Sequence, residues 1–426
     1  MTLEHLVTIN AEEWPGVASV PTGVWMPVRA RKAEANFARV CRTLEITLSG
    51  DADVRVEHEA LFLRIAESGW TGFAESYMAG EWRTRDDNTL VEVLAKLIAH
   101  GYRPKTPTVP TLRALGQLPP ALVRLFSGDG TSAFNATYAS GVATTVRHSV
   151  PSHVPGAGRG QEPAHHFVDV TTVGEPVSVE RADLADGQAR AAERLLAQAH
   201  VRESSHVLVF PASGGQVEMA AVSARATVDA VTSDRPMYEA MGERLVLSGI
   251  ADAVHLEFVD DLRLWRGRYD SIVSAEALET MAGTQRDEYI RAIDRMLATG
   301  GRAALQTTVA TETFSRAARD AVQALRAYIW PGLEMSTEEE LHRLVDRRTN
   351  LRIVSQAHLG RHHELSVAAQ REQFASRSRE AAAEGFDVVL RRLMTYQFAL
   401  REALLRLDMI DGVVLGLVHR NRGGRR

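Results

Sequence analysis

Cysteine is almost missing from this chain of 426 residues, where Cys41 stands alone. One thiol closes no internal disulfide and builds no multi-cysteine zinc or iron–sulfur site, and such scarcity suits a reducing compartment. Aromatic residues supply only 6% of the chain. No apolar run approaches the roughly 20 residues that a membrane-spanning helix needs. A basic excess is lacking too: 49 Lys and Arg face 54 Asp and Glu, a formal net charge of −5. The composition therefore provides no general attraction to nucleic acid or an anionic membrane. The opening MTLEHLVTIN lacks the basic-then-apolar order of a secretory signal. The expectation is a cytoplasmic protein, with any contact at the inner membrane surface peripheral and local. What is present, 45% hydrophobic and 24% charged residues, is the material of a folded chain of two or three domains.

Hydrophobic periodicity divides the chain into three stretches. Over residues 1–100, LEITL and VRVEH read as short strands and DDNTLVEVLAKLIAH as a helix behind an acidic start, giving a small α+β domain. Residues 101–180 are punctuated by Pro104, Pro110, Pro119, Pro120, Pro151, Pro163 and Pro176 among Gly, Ser and Thr. This predicts a connecting region, partly mobile, in which TLRALGQLPPALVRLF forms a short packed helix. From 181 to 426 strands alternate with helices: HVLVF, ATVDAVT, AVHLEF, DSIVSA, RAALQTT, LRIVSQ and VVLGLVHR are the strand candidates. Such alternation predicts an α/β fold, an open sheet of about seven strands with flanking helices and ligands at the carboxyl ends of its strands. Ser336 and Glu339 stand at capping-box spacing in STEEEL. FDVVLRRLMTYQFALREALLRLDMI reads as a long amphipathic helix closing this last domain.

Five strings together resemble the cyclopropane-fatty-acyl-phospholipid synthase family, methyltransferases that act on double bonds of lipid acyl chains with S-adenosylmethionine (SAM). They are GFAESYMAGEW, GRYDSIVSAEALETM, RAALQTT, YIWPG and REALLRLDMIDGVVLGLVHR, in family order over most of the chain. The resemblance implies a class I SAM-methyltransferase sheet in residues 181–426, unsaturated phospholipid acyl chains as substrate and a bicarbonate ion as proton acceptor. It further suggests a homodimer or a heterodimer with an active homologue. No nucleic acid and no metal is implied.

By the same resemblance, Gly215, with Gly214 beside it, carries over to the cofactor turn, Thr232 and Asp260 to the ends of the second and third strands, and Glu279, Gln306 and His363 to the reaction centre. The turn departs from the pattern: Val209 stands at the acidic position, Pro211 at the first glycine and Ser213 at the second. Proline fixes φ near −65° and has no N–H to donate, while a seryl Cβ crowds a close approach. The family's cysteine and Tyr-Asp pair find no counterpart between Ala133 and Thr171, and Cys41 reads as a buried small hydrophobe. His148, His153, His165 and His166 lack the carboxylate or thiol spacing of a metal site.

These departures favour a weakly active or noncatalytic relative that pairs with an active homologue in lipid methylation. The alternatives are an active SAM-dependent methyltransferase forming cyclopropane, methyl-branched or methylene products, and a noncatalytic lipid-binding protein.

Overall fold

The computed structural model of the chain describes residues 4–106, 114–160, 162–179 and 183–420. It divides into two units, each discontinuous in sequence. One comprises Met1–Leu118, Thr313–Pro331 and Val367–Met409; the other comprises Pro119–Glu312, Gly332–Ser366 and Ile410–Arg426.

The first unit is mostly helical, and two of the resembling strings account for its packing. Within GFAESYMAGEW, Gly72 meets the Arg64 carbonyl where a Cβ would collide, so the helices Ala60–Ser68 and Trp70–Ala79 approach at backbone distance. Trp82 then donates its indole N–H to the Phe73 carbonyl at 3.1 Å and to Ser76 Oγ at 3.0 Å. From YIWPG, the Tyr328 hydroxyl donates to Glu75 Oε1 at 2.6 Å. Arg64 and Glu81 form a buried ion pair, Nε to each carboxylate oxygen at 3.0 Å, and the guanidinium also donates to the carbonyls of Gly16 and Val17. Both charges are thus compensated out of water, the condition under which a buried pair survives.

Strands β1 (Val54–Val56) and β2 (Trp82–Thr84) pair antiparallel in this unit. LEITL, expected as a strand, is not one: Glu45 sits at φ +55°, and Asp53 takes the Thr47 N–H that a ladder would need. The helix Asp87–Ala99 starts at Asp86, whose carboxylate accepts the Thr89 N–H. The long helix Val388–Arg406, capped by Asp387, packs on Trp70–Ala79 and Asp87–Ala99. Sequence reading placed it with the C-terminal sheet; its apolar face is buried in the helical unit instead.

The second unit is built on one sheet of nine strands. In chain order they are β3 (Thr144–Pro151), β4 (His165–Thr172), β5 (His206–Val209), β6 (Thr227–Thr232), β7 (Val254–Phe258), β8 (Tyr269–Ala275), β9 (Leu297–Ala310), β10 (Leu351–His358) and β11 (Ile410–His419). Their spatial order is β3-β4-β10-β11-β9-β8-β5-β6-β7. The neighbours from β9 through β7 pair in parallel, while β11 runs antiparallel between β9 and β10.

Two-residue alternation makes this sheet the middle of three layers. Leu208 and Phe210 join a core with Ile290 and Ile293 of the helix Thr284–Met296 and Leu341 of Glu338–Arg348. Val207 and Val209 join another with Ala191, Leu195, Val217 and Met241 from helices on the opposite face. All seven strands expected from sequence are present. Two more, β3 and β4, come from the Pro-rich stretch expected to connect: β-branched runs between its prolines pair with each other, and β4 adds in parallel to β10. The short helix of that stretch is Pro120–Arg124, while residues 111–113 of the same string lie outside the described residues. The capping box is one residue later than expected, formed by Thr337 and Glu340.

Candidate active site

Strand β5 has β6 on one side and β8 on the other, so the chain reverses its direction of progress across the sheet at this point. In open α/β sheets ligands gather outside the carboxyl ends of the strands at such a switch. Here those ends carry a glycine turn after β5 and a buried polar cluster after β8 and β9.

The turn runs from Phe210 to Gly215 and leads into the helix Gln216–Ser223. Gly214 and Gly215 have φ of +108° and +97°, conformations open to glycine and strained for other residues. A Cβ on Gly214 would strike the Thr131 carbonyl and lie 2.6 Å from Ser132 Cα. The Gly214 carbonyl accepts from Thr131 Oγ1 at 2.7 Å and from the Arg244 guanidinium at 3.2 Å. Arg244 is held in turn by Asp129 at 2.9 Å and donates to Gln216 Oε1 at 2.9 Å. Gln188, fully buried, clamps the covering segment by donating to the carbonyls of Ser132 and Phe134 and accepting the Gly128 N–H. The close approach that glycine permits is therefore used by the chain's own segment 131–132.

That geometry tests the fit of SAM. Val209 is fully buried in the apolar layer and offers no carboxylate. Thr232 is buried at the end of β6, where its hydroxyl oxygen accepts the Asp234 N–H at 3.1 Å. Asp260 is exposed beyond β7. The carboxylate at the end of β5 is therefore missing and the glycine face is covered by segment 131–132, while Thr232 and Asp260 stand at the strand ends where the resemblance puts them.

The polar cluster is built from four side chains that are 11% exposed or less. Glu276, immediately after β8, holds φ +52°. Its Oε1 accepts the Asn135 N–H at 3.0 Å, Asn135 Nδ2 at 2.8 Å and Gln306 Nε2 at 3.0 Å, and His363 Nε2 lies 3.8 Å away. His363 sits at the start of the helix Arg361–Ser376, its ring in the space that a Cβ on Gly412 would fill. The neighbouring His362 has another role: its Nδ1 accepts the Tyr138 N–H at 3.0 Å, so Nε2 carries the proton and donates to the Gly174 carbonyl at 3.0 Å. Burial holds His362 below the usual imidazole range, in keeping with a neutral ring.

Of the residues singled out from sequence, Gln306 and His363 thus meet at one carboxylate. Glu279 does not share it: its Oε2 accepts from Thr307 Oγ1 at 2.8 Å. Gln306 and Thr307 are consecutive in β9 and point to opposite faces, which separates the two glutamates. Gly214 and Gly215 lie in the covered turn. Sequence reading missed Asn135 and Glu276. The interval in which no family counterpart was found supplies Asn135 and Tyr138, and the only local signal was the short polar string FNATY before the prolines.

Cys41 is buried in the first unit, its thiol pushed up to about 12 by burial. His148, His165 and His166 are spread along the β3–β4 ladder. Among the described residues no three His, Cys, Asp or Glu side chains converge as for a metal ion, and no helix is long and apolar enough to cross a membrane.

Comparison with known proteins places this arrangement. A family model described as mycolic acid cyclopropane synthetase matches residues 177–412. Tuberculostearic acid methyltransferase UfaA1 of Mycobacterium tuberculosis is 28% identical over 435 aligned positions, covering 96% of this chain and 97% of the relative. The structure of cyclopropane synthase MmaA2 from Mycobacterium tuberculosis superposes with a TM-score of 0.51 at 16% identity, over 56% of this chain and 86% of that one. Mycolic acid cyclopropane synthase CmaA1, complexed with SAH and CTAB, gives 0.51 at 14% identity over the same shares. At such identities the superpositions speak for the fold, a class I SAM-methyltransferase sheet. The family match spans more than half of the chain and includes the glycine turn, Glu276, Gln306 and His363; the chain belongs to the mycolic acid cyclopropane synthetase family.

Proposed function

We propose that this protein serves SAM-dependent methylation of unsaturated phospholipid acyl chains as a weakly active or noncatalytic partner of an active homologue. Family membership and the near full-length similarity to an acyl-chain methyltransferase support the pathway. The observation that carries the catalytic reading is the covered turn: Thr131 and Ser132 fill the glycine face, and Arg244, fixed by Asp129, ties down the Gly214 carbonyl.

Calorimetric titration of the whole protein with SAM and with SAH tests this reading, with Gly215→Trp as the blocked-site control. The expected result is no saturable heat at micromolar ligand. Micromolar binding abolished by G215W overturns it.

That outcome would favour a second reading, an active methyltransferase with a remodelled cofactor turn. The buried cluster of Asn135, Glu276, Gln306 and His363 supports this one, because an alkene methylation generates a cation that must be kept from water and then deprotonated. Its assay is transfer of labelled methyl from SAM to vesicles of unsaturated phospholipid.

A further inference from the structure

The resemblance to cyclopropane-fatty-acyl-phospholipid synthases implies a bicarbonate ion at the reaction centre, with Gln306 and His363 among the residues that hold it. In this fold those side chains already face an anion. Three N–H groups, the Asn135 backbone, Asn135 Nδ2 and Gln306 Nε2, end on Glu276 Oε1 within 3.0 Å, and His363 Nε2 stands 3.8 Å from the same oxygen. Asn135, Gln306 and His363 are each about 1% exposed, so the donors have little access to solvent as a substitute acceptor.

The backbone gives an independent indication. Glu276 holds φ +52°, a left-handed conformation that is disfavoured for a residue with a Cβ. It is reached directly after β8, where the next N–H in line, that of Glu276, is fixed to the Gln306 carbonyl at 2.8 Å. The turn aims the side chain into the donor cluster.

A carboxylate and bicarbonate present the same planar O–C–O unit to N–H donors. We propose that Glu276 is a tethered carboxylate occupying the oxyanion position of this centre, so that the protein takes up no bicarbonate there. The inference rests on the family reading for the nature of the anion, not on whether the chain turns over substrate.

The experiment reads anion occupancy alone. Whole protein, wild type and Glu276→Gly, is melted in chloride, formate and bicarbonate at equal ionic strength; glycine relieves the positive φ while removing the carboxylate. In chloride the variant melts about 4 °C lower, because buried donors lose their acceptor. Formate and bicarbonate restore at least half of that loss saturably, and neither moves the wild type. A variant indifferent to both anions overturns the proposal, as does a saturable gain by the wild type. Should E276G fail to fold, line broadening of [13C]bicarbonate by the wild type decides: saturable broadening overturns the proposal and its absence supports it. SAM calorimetry and this measurement are independent, so failure of one leaves the other standing.

Discussion

At the scale of single residues, burial of charge sets the sharpest expectations. Glu218, in the first turn of the helix behind the glycine pair, is fully buried, and burial pushes its carboxyl up to about 7 while the Arg244 charge acts in the opposite direction. Glu75 is raised to about 7 by burial as well, against the Tyr328 hydrogen bond and the Arg64 charge. Each folded-state value exceeds the ordinary 4.5. The unfolded chain therefore releases these protons first as pH rises, and the stability they contribute is full below the ordinary carboxylate range and lost on passing through 7. Glu218→Gln has no proton to lose, so its stability relative to wild type increases between pH 5 and pH 8. Denaturant melts at the two pH values check this, and a pH-independent difference counts against the buried acid. Gly214→Ala, which would place a Cβ against the Thr131 carbonyl at positive φ, is expected to cost about 2–4 kcal/mol by the same measurement.

At the scale of elements, the covered turn is held from two sides: by the segment that Gln188 clamps, and by Arg244 near the end of the helix Arg235–Leu247. Removing Arg244 alone would strand Asp129 without its buried partner, so the informative change is Arg244→Met with Asp129→Asn. If the turn is closed by these ties, the double variant gains saturable heat with SAM in the calorimeter, where wild type gives none at micromolar ligand. Unchanged affinity would locate the obstacle in Pro211 and Ser213 instead. The strands of the large sheet were legible because each is a short apolar run set between helix-length segments, as Val207, Leu208, Val209 and Phe210 are, all four fully buried between the two helical layers. The cluster was not, because its contacts are remote: Asn135 meets Glu276 across 141 positions and Ala136 meets Ser366 across 230. Gln306 and His363 were found only through resemblance. Glu276 was passed over because the resemblance pointed to Glu279; both carboxylates turn inward, Glu279 toward Thr307 and Glu276 toward Asn135 and Gln306. LEITL failed as a strand for a local reason, since Asp53 competes for its backbone donor.

At the scale of the whole molecule, the proposed role concerns what the chain does in company. In a host supplied with unsaturated phospholipid, expression of this protein alone is expected to leave the fatty-acid profile unchanged. Co-expression with a homologue that has an intact glycine-rich turn is expected to raise the methylated fraction above that from the homologue alone, as read by mass spectrometry of total fatty acids. Methylation by the lone chain would transfer the reading to the active-enzyme alternative.

The helical unit, finally, is made of three separate stretches, the last ending at Met409. During synthesis its opening portion, complete at Leu118, emerges well before the helix that covers its apolar face. At about 5–20 residues per second, the interval is on the order of 15–60 s. For that time the helix Asp87–Ala99 of the nascent chain lacks the cover that Val388–Arg406 provides in the folded protein. The unit is thus a late-closing assembly, its opening helices made long before Val388–Arg406 arrives to seal their apolar face.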